Sequence, residues 1–337
     1  MKKSKIKYIF NFLLILIVLG IVLYFSLKDN YQEIVSTIKH MNYLWCLLAV
    51  MVLVVYRLCA SLGHFLIIRA NHSQVSYLRC FQINFMILFF HGITPFAGGG
   101  QPMEVYFLHK EGIPVTKGTN ITLQNFIVYQ MALILTGLFA LVYNRVYQLF
   151  PNDSLIKYLV VLGFLINTAV LVVTFILSFG KKINRFITSK GIHLLARVKI
   201  VKNEELAQEK CQGYLKSFHD NAVELNKNKR VVFFTVMINI IGLMVMYSMP
   251  YFILKGMGVG VSILKVIVAT SYVMVIGSFV PIPGGTGGIE YSFIFFFQYL
   301  ISGSIVHAAM LVWRVISYYL GMVLGAIALA LYRKRGV

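Results

Sequence analysis

Glu104 and Glu290 hold the same place in a repeated element. Pro95, Gly98, Gly99, Glu104 and Phe107 return as Pro281, Gly284, Gly285, Glu290 and Phe293, each 186 residues further on, giving a P-x-x-G-G-x4-E-x-x-F pattern once in each half of the 337-residue chain. These residue types prescribe a chemistry. Proline at Pro95 and Pro281, with Pro283 beside the latter, stops an incoming helix. Successive glycines permit positive φ and close approach of a ligand to the backbone. A helix restarting near each Glu presents free N–H groups and a positive dipole end, which suits an anion, while the carboxylate itself suits a cation. The alternative is that each Glu only caps the first turn of its helix and needs no ligand.

Two arginines interrupt apolar surroundings, Arg57 midway along the run 43–68 and Arg314 within 304–332. An ionisable group at such depth costs at least about 2.5 to 3.5 kcal/mol on insertion scales, so each should face the interior and have a partner. Glu104 and Glu290 are the expected partners, because they are the only acids outside polar loops. A structural ion pair and a phosphate-binding role both remain open for the arginines. Asn84, Gln124, Asn125, Gln130 and Asn239 are expected to join helices by hydrogen bonds. His91, four residues before Pro95, is read as a structural residue at a helix end, with proton carriage as the alternative.

The elements that must carry these residues follow from composition. The chain is 59% hydrophobic and 12% charged, against about 45 to 50% and 25% in soluble domains. That excludes a soluble globular protein and leaves an all-α polytopic membrane protein. Four scattered Cys and no C-x-x-C exclude a disulfide scaffold and a Cys-ligated zinc site. No H-E-x-x-H, G-x-S-x-G or P-loop occurs, so neither catalytic residues, metal nor cofactor is expected. The net charge of +20 belongs to loops between spans, and no nucleic-acid motif accompanies it.

Six runs are long enough to span, near 8–27, 43–68, 119–143, 156–180, 231–254 and 304–332. Two further stretches, 78–94 and 263–280, run into the Pro/Gly breaks and resume only briefly, which predicts broken or re-entrant hairpins. Three full spans separate the two motif copies, and an odd number reverses direction, so the copies form an inverted repeat. Half 1 is about 1–180, with motif 94–107; half 2 is about 231–337, with motif 280–293. Interrupted segments at corresponding positions of two halves are the sequence pointer to a transporter binding site.

With both hairpins re-entrant and Met1 inside, 23 Lys/Arg fall inside against six outside, which places both termini in the cytoplasm. The polar stretch 181–230 carries twelve Lys/Arg against five acids and is expected on the cytoplasmic side. It is either a surface-lying basic helix on anionic lipid or a solvated linker.

At the two motifs the chain resembles the lysylphosphatidylglycerol synthase transmembrane region, the flippase-like membrane half of the bacterial multiple peptide resistance factor. The carrying residues are Pro281-Ile-Pro-Gly-Gly-Thr-Gly-Gly-Ile-Glu290 and Thr94-Pro-Phe-Ala-Gly-Gly-Gly-Gln-Pro-Met-Glu104-Val-Tyr, and the resemblance covers nearly the whole chain as a single domain. It implies a multi-pass protein of the bacterial cell membrane. The phospholipid implied, lysylphosphatidylglycerol or a related aminoacylated or anionic lipid, moves between leaflets and confers resistance to cationic antimicrobial peptides. Glu104, Glu290, Gly98, Gly99, Gly284, Gly285, Arg57 and Arg314 are the expected contacts to the headgroup.

In the full-length factor a soluble aminoacyl-transferase domain follows the membrane half. This chain ends at Val337, five residues after its last apolar run, so that domain is expected to be absent and the phosphatidylglycerol lysyltransferase label is not expected to describe its own activity. Two alternatives stand beside translocation. One is a lipid-modifying membrane enzyme with Glu104 or Glu290 as general base; the other is a membrane partner of a separate lipid synthase, engaged through 181–230. A homo-oligomer is compatible with each.

Overall fold

The computed structural model describes residues 31–71, 74–94, 98–150, 154–179, 205, 208–209, 212–213, 228–278, 280 and 282–332. The apolar run 8–27, Pro95, Pro281 and nearly all of 181–230 lie outside the described residues, so the expectations placed on them stay expectations.

Among the described residues the chain is all-helical. A short helix, α1 (Tyr31–His40), leads into α2 (Tyr43–Ala70). The Asn42 side chain caps α2 by accepting from the Leu44 N–H at 3.0 Å. Next come α3 (Tyr77–Ile93), the first break, α4 (Gly100–Lys110), α5 (Val115–Tyr147) and α6 (Ser154–Phe179). The second half holds α7 (Lys229–Tyr247), α8 (Met249–Gly256), α9 (Ile263–Gly277), the second break, α10 (Gly288–Phe297) and the helix Ile305–Ala330. That last helix is α-helical as α11 (Ile305–Arg314) and α12 (Gly321–Ala330), with a π-helical turn, Val315–Leu320, between them.

Five helices are long and apolar enough to cross a membrane: Tyr43–Ala70, Val115–Tyr147, Tyr158–Ile176, Lys229–Gly256 and Ile305–Ala330. They coincide with the five expected spans that fall on described residues. Their outer faces explain the composition. On α2, Leu44, Leu47, Leu48, Met51, Val55, Leu58 and Leu62 are all exposed; their spacing of three and four residues draws one apolar stripe down the helix. In water such a stripe would be a liability, but facing lipid it needs no partner. The protein is a multi-pass membrane protein.

The spacing of 186 residues extends beyond the motif. Tyr43–Ala70 and Lys229–Gly256 begin and end at that offset, and so do the starts of α3 at Tyr77 and α9 at Ile263. The equivalent first helices, α2 and α7, pack on one another. Each broken element packs against the first long helix that follows the break of the other half, α3 on α12 and α9 on α5. The α3–α12 contact is close because Gly325 has no side chain: a Cβ there would stand 2.6 Å from the Phe85 carbonyl oxygen.

Pro250 sits at the junction of α7 and α8 and is buried. A proline there removes a backbone donor and ends the regular ladder, which accounts for the joint at Ser248.

Candidate functional site

Both expected breaks are present, and each ends where the motif restarts a helix. Phe107 and Phe293, three residues after the glutamates, fix the restarted helices in the core. Phe107 packs against Phe90 and Tyr332, and Phe293 stacks on Phe297 and on Trp313, the last at a centroid distance of 4.9 Å.

The two breaks solve their backbone problem differently. In the second, Gly284, Gly285 and Gly287 all take positive φ (66°, 63° and 90°), as the glycine run predicts. In the first, the expectation needs correction. Gly99 lies at φ −77° and Gly100 begins α4, so left-handed backbone is not what these glycines supply. Their need is steric. A Cβ on Gly100 would overlap the His91 imidazole, and one on Gly99 would press on Thr94. Thr94 closes this turn, its hydroxyl donating to the Phe90 carbonyl at 2.6 Å and accepting from the Gly99 N–H at 2.8 Å. Gly98 precedes this turn as part of the same break. Pro283 opens the short helical turn Pro283–Gly285, and its carbonyl accepts from the Thr286 hydroxyl at 2.8 Å.

Glu290 and Arg314 form a buried ion pair, Oε1 to Nε 2.6 Å, with each side chain about one-twentieth exposed. The second carboxylate oxygen accepts from the Gly287 N–H at 2.6 Å, so Glu290 also caps α10. Arg314 Nη2 donates to the Gly284 carbonyl at 3.1 Å, and the guanidinium lies 4.5 Å over the Tyr318 ring. One arginine therefore ties the carboxylate, the irregular backbone and an aromatic face together. The π turn beginning at Val315 shifts the register that follows Arg314, and such turns recur at functional sites.

Glu104 is partnered otherwise. It lies within α4 rather than at its first turn, so it does not act as a cap. Its Oε1 stands 2.9 Å from His64 Nε2 on α2, at ion-pair distance though without the linear geometry of a hydrogen bond. Both residues are buried, His64 completely. Arg57, expected to pair with one of the glutamates, pairs with neither. His64 already occupies the Glu104 carboxylate, and Arg57 lies seven residues earlier on α2, two turns or about 10 Å along the axis. The Arg57 guanidinium sits 4.4 Å over the Tyr56 ring, and its buried Nε makes no hydrogen bond.

Tyr318 brings the two breaks together. Its hydroxyl donates to the Gly92 carbonyl at 2.8 Å, just before the first break, while its ring packs where a Cβ on Gly284 would fall. Around these centres, three of the expected amides link helices: Gln124 accepts from Asn71 at 2.7 Å, Gln130 donates to the Asn167 carbonyl at 3.5 Å, and Asn84 lies 3.3 Å from His64. Asn239 instead donates to the Thr235 carbonyl of its own helix, and Asn167 adds a link to Ser278 at the edge of the second break at 2.7 Å. Beyond the last span, Tyr332 donates to Glu111 at 2.9 Å; burial, and then that hydrogen bond, push its phenol up to about 12, so it remains a donor.

His64, Tyr318 and Thr94 are functional candidates that the motif alone does not mark. A signal for His64 exists in the sequence, because an ionisable residue within an apolar span on the same face as Arg57 is itself a site hypothesis.

Five helices of membrane-spanning length, beside two shorter helices that end at glycine-rich breaks ahead of buried carboxylates, define the class: a polytopic helical membrane protein with broken elements meeting in its interior. The chain belongs to the lysylphosphatidylglycerol synthase transmembrane-region family, whose profile matches residues 11–325. It is similar to a UPF0104 membrane protein of Archaeoglobus fulgidus, with 22% identity over 307 residues that cover 87% of this chain and 88% of that one.

Proposed function

We propose that the chain moves a phospholipid headgroup between the two leaflets, with lysylphosphatidylglycerol or a related aminoacylated or anionic lipid as the substrate. The observation that carries this reading is the meeting of the two breaks at Tyr318, beside buried Glu290 and Arg314. Irregular backbone at membrane depth is tolerated only where it is buried in protein or lines a water-filled cavity, and interrupted helices of this kind form transporter binding sites. The family name supplies the lipid class.

The chemistry divides between charges. Arg57, whose Nε has no hydrogen-bond partner, takes the phosphate; Glu104, against His64 two turns beyond Arg57 on α2, attracts the ammonium groups. Gly98, Gly99, Gly284 and Gly285 let backbone approach the headgroup while the acyl tails stay in lipid. The helix bounds at a constant offset support a repeat of two halves; in this reading the halves are inverted, with both termini cytoplasmic and the two broken hairpins re-entrant, and they rock about the site. Delivery of a cationic lipid to the outer leaflet lowers its negative surface potential, which would repel cationic antimicrobial peptides.

The test is the leaflet distribution of amine-labelled lysylphosphatidylglycerol in vesicles holding the purified protein, beside phosphatidylglycerol and the Glu104→Gln/Glu290→Gln variant. Fast movement lost in the variant is expected. Equal movement in both proteins would defeat the reading, and a chemically altered lipid would point instead to an enzyme.

A further inference from the structure

The two motif glutamates differ in the partner each meets. Glu290 faces a permanent cation, Arg314, whereas Glu104 faces an imidazole, His64. The difference is written in the repeat. The position 186 residues before Arg314 is Val128, and the position 186 after His64 is Pro250, so each half lacks the other's partner.

The proton on His64 can be placed. Asn84 Nδ2 donates to the Cys80 carbonyl at 3.0 Å and lies 3.3 Å from His64 Nδ1. An amide nitrogen has hydrogens and no acceptor capacity, so Nδ1 accepts and the imidazole hydrogen falls to Nε2, which stands 2.9 Å from Glu104 without the geometry of a hydrogen bond. A neutral imidazole beside an ionised carboxylate leaves one negative charge uncompensated within the pair. On α3, Cys80 is a buried thiol and His91 lies against Gly100. On α7, Thr235 and Asn239 face Gly63, next to His64. Arg69 and Arg79 lie toward the polar ends of α2 and α3, and Arg79 is engaged by Glu111 at 3.8 Å. Arg57 is two turns away.

We infer that the His64–Glu104 pair binds one proton in exchange for the cationic group of the lipid, and so couples lipid movement to proton movement in the opposite direction. This rests on the translocation reading. A buried net charge is costly, and either ligand removes it. The proton gives an imidazolium against the carboxylate, Nδ1 gaining a hydrogen, and the Asn84 amide turns to offer Oδ1 at the expense of its hydrogen bond to the Cys80 carbonyl. The lipid ammonium gives the same neutrality with His64 uncharged. Because both satisfy one charge, binding of one reduces binding of the other by the same factor. Glu290–Arg314 is neutral throughout and serves as the fixed half of the site.

Two measurements test this. Proton uptake between pH 8 and pH 5 is counted for the purified protein in lightly buffered lipid nanodiscs, wild type beside His64→Gln/Glu104→Gln, in which two neutral side chains replace the pair. The wild type is expected to take up one proton more. Lysylphosphatidylglycerol movement is then followed in wild-type vesicles with and without a pH gradient, where one-for-one exchange allows up to a tenfold change in the leaflet ratio per pH unit. Equal proton counts overturn the proton site. An extra proton with lipid movement indifferent to the gradient overturns the coupling and leaves translocation standing. Lipid that does not move under any gradient defeats translocation, and the coupling with it.

Discussion

The Tyr318 hydroxyl donates to the Gly92 carbonyl at 2.8 Å, so the π turn of the last span holds the final turn of α3 before the first break. The link joins opposite halves of the chain. Tyr318→Phe keeps the ring against Gly284 and under Arg314 but leaves the Gly92 carbonyl without this donor. A single hydrogen bond contributes about 0.5 to 1.5 kcal/mol, and a buried acceptor left bare costs about 1 to 3. Thermal unfolding in detergent is expected to show a loss in that range, with a larger fractional loss of lipid movement because the two breaks no longer share an anchor. Unchanged unfolding and unchanged flux would deny the link any role.

The Glu290–Arg314 pair gives a sharper contrast. Removing one member leaves an uncompensated buried charge, which typically costs about 3 to 5 kcal/mol, whereas replacing both with apolar groups is often neutral. Arg314→Met is therefore expected to unfold far more readily than wild type, and Arg314→Met/Glu290→Leu to recover much of that loss. Lipid movement should fail in both. A double variant as unstable as the single one would show that the contacts of Arg314 with Gly284, rather than its charge, hold the break.

Much of this was legible in the sequence, for identifiable reasons. The five spans on described residues follow from hydropathy alone, because a lipid-facing helix must be apolar over its whole length. The breaks follow from Pro and Gly at a fixed offset. Arg314 was placed correctly beside a motif carboxylate, since a membrane-depth cation requires one. Arg57 was not, because the same rule names several partners and only the contact of His64 with Glu104 shows that another residue takes that carboxylate. The glycine roles were legible in the second break and not in the first. Gly98-Gly99 and Gly284-Gly285 share a motif, yet the second pair takes positive φ and Gly99 does not. Each glycine also meets a different neighbour, Thr94 at Gly99 and Tyr318 at Gly284, which no local spacing encodes.

That difference predicts two kinds of failure. Gly100→Ala meets the His91 imidazole on ordinary helical backbone, so His91→Ala should relieve most of its cost in a double-mutant cycle. Gly284→Ala meets Tyr318 and must also hold φ 66°, a conformation costing an L-residue roughly 1 to 2 kcal/mol. Tyr318→Ala should therefore leave at least about 1 kcal/mol of the Gly284→Ala cost in place. Full rescue at both positions, measured by thermal unfolding, would mean that the positive φ carries no strain.

Arg57 separates binding from stability. Its Nε makes no hydrogen bond and its nearest defined contact is the Tyr56 ring, so Arg57→Gln breaks no ion pair and is expected to leave the melting temperature nearly unchanged. A charge-assisted hydrogen bond to phosphate is worth about 1.5 to 3 kcal/mol, or roughly 10- to 150-fold in affinity. Half-saturation by phosphatidylglycerol and by lysylphosphatidylglycerol should rise together in Arg57→Gln, because the phosphate is common to both lipids. Arg57→Lys should recover part of the loss, a point charge replacing a planar fork. Glu104→Gln, by contrast, should weaken only the lysyl lipid, whose ammonium it meets. A loss in Arg57→Gln confined to the lysyl lipid would remove Arg57 from the phosphate site and place it with the carboxylates instead.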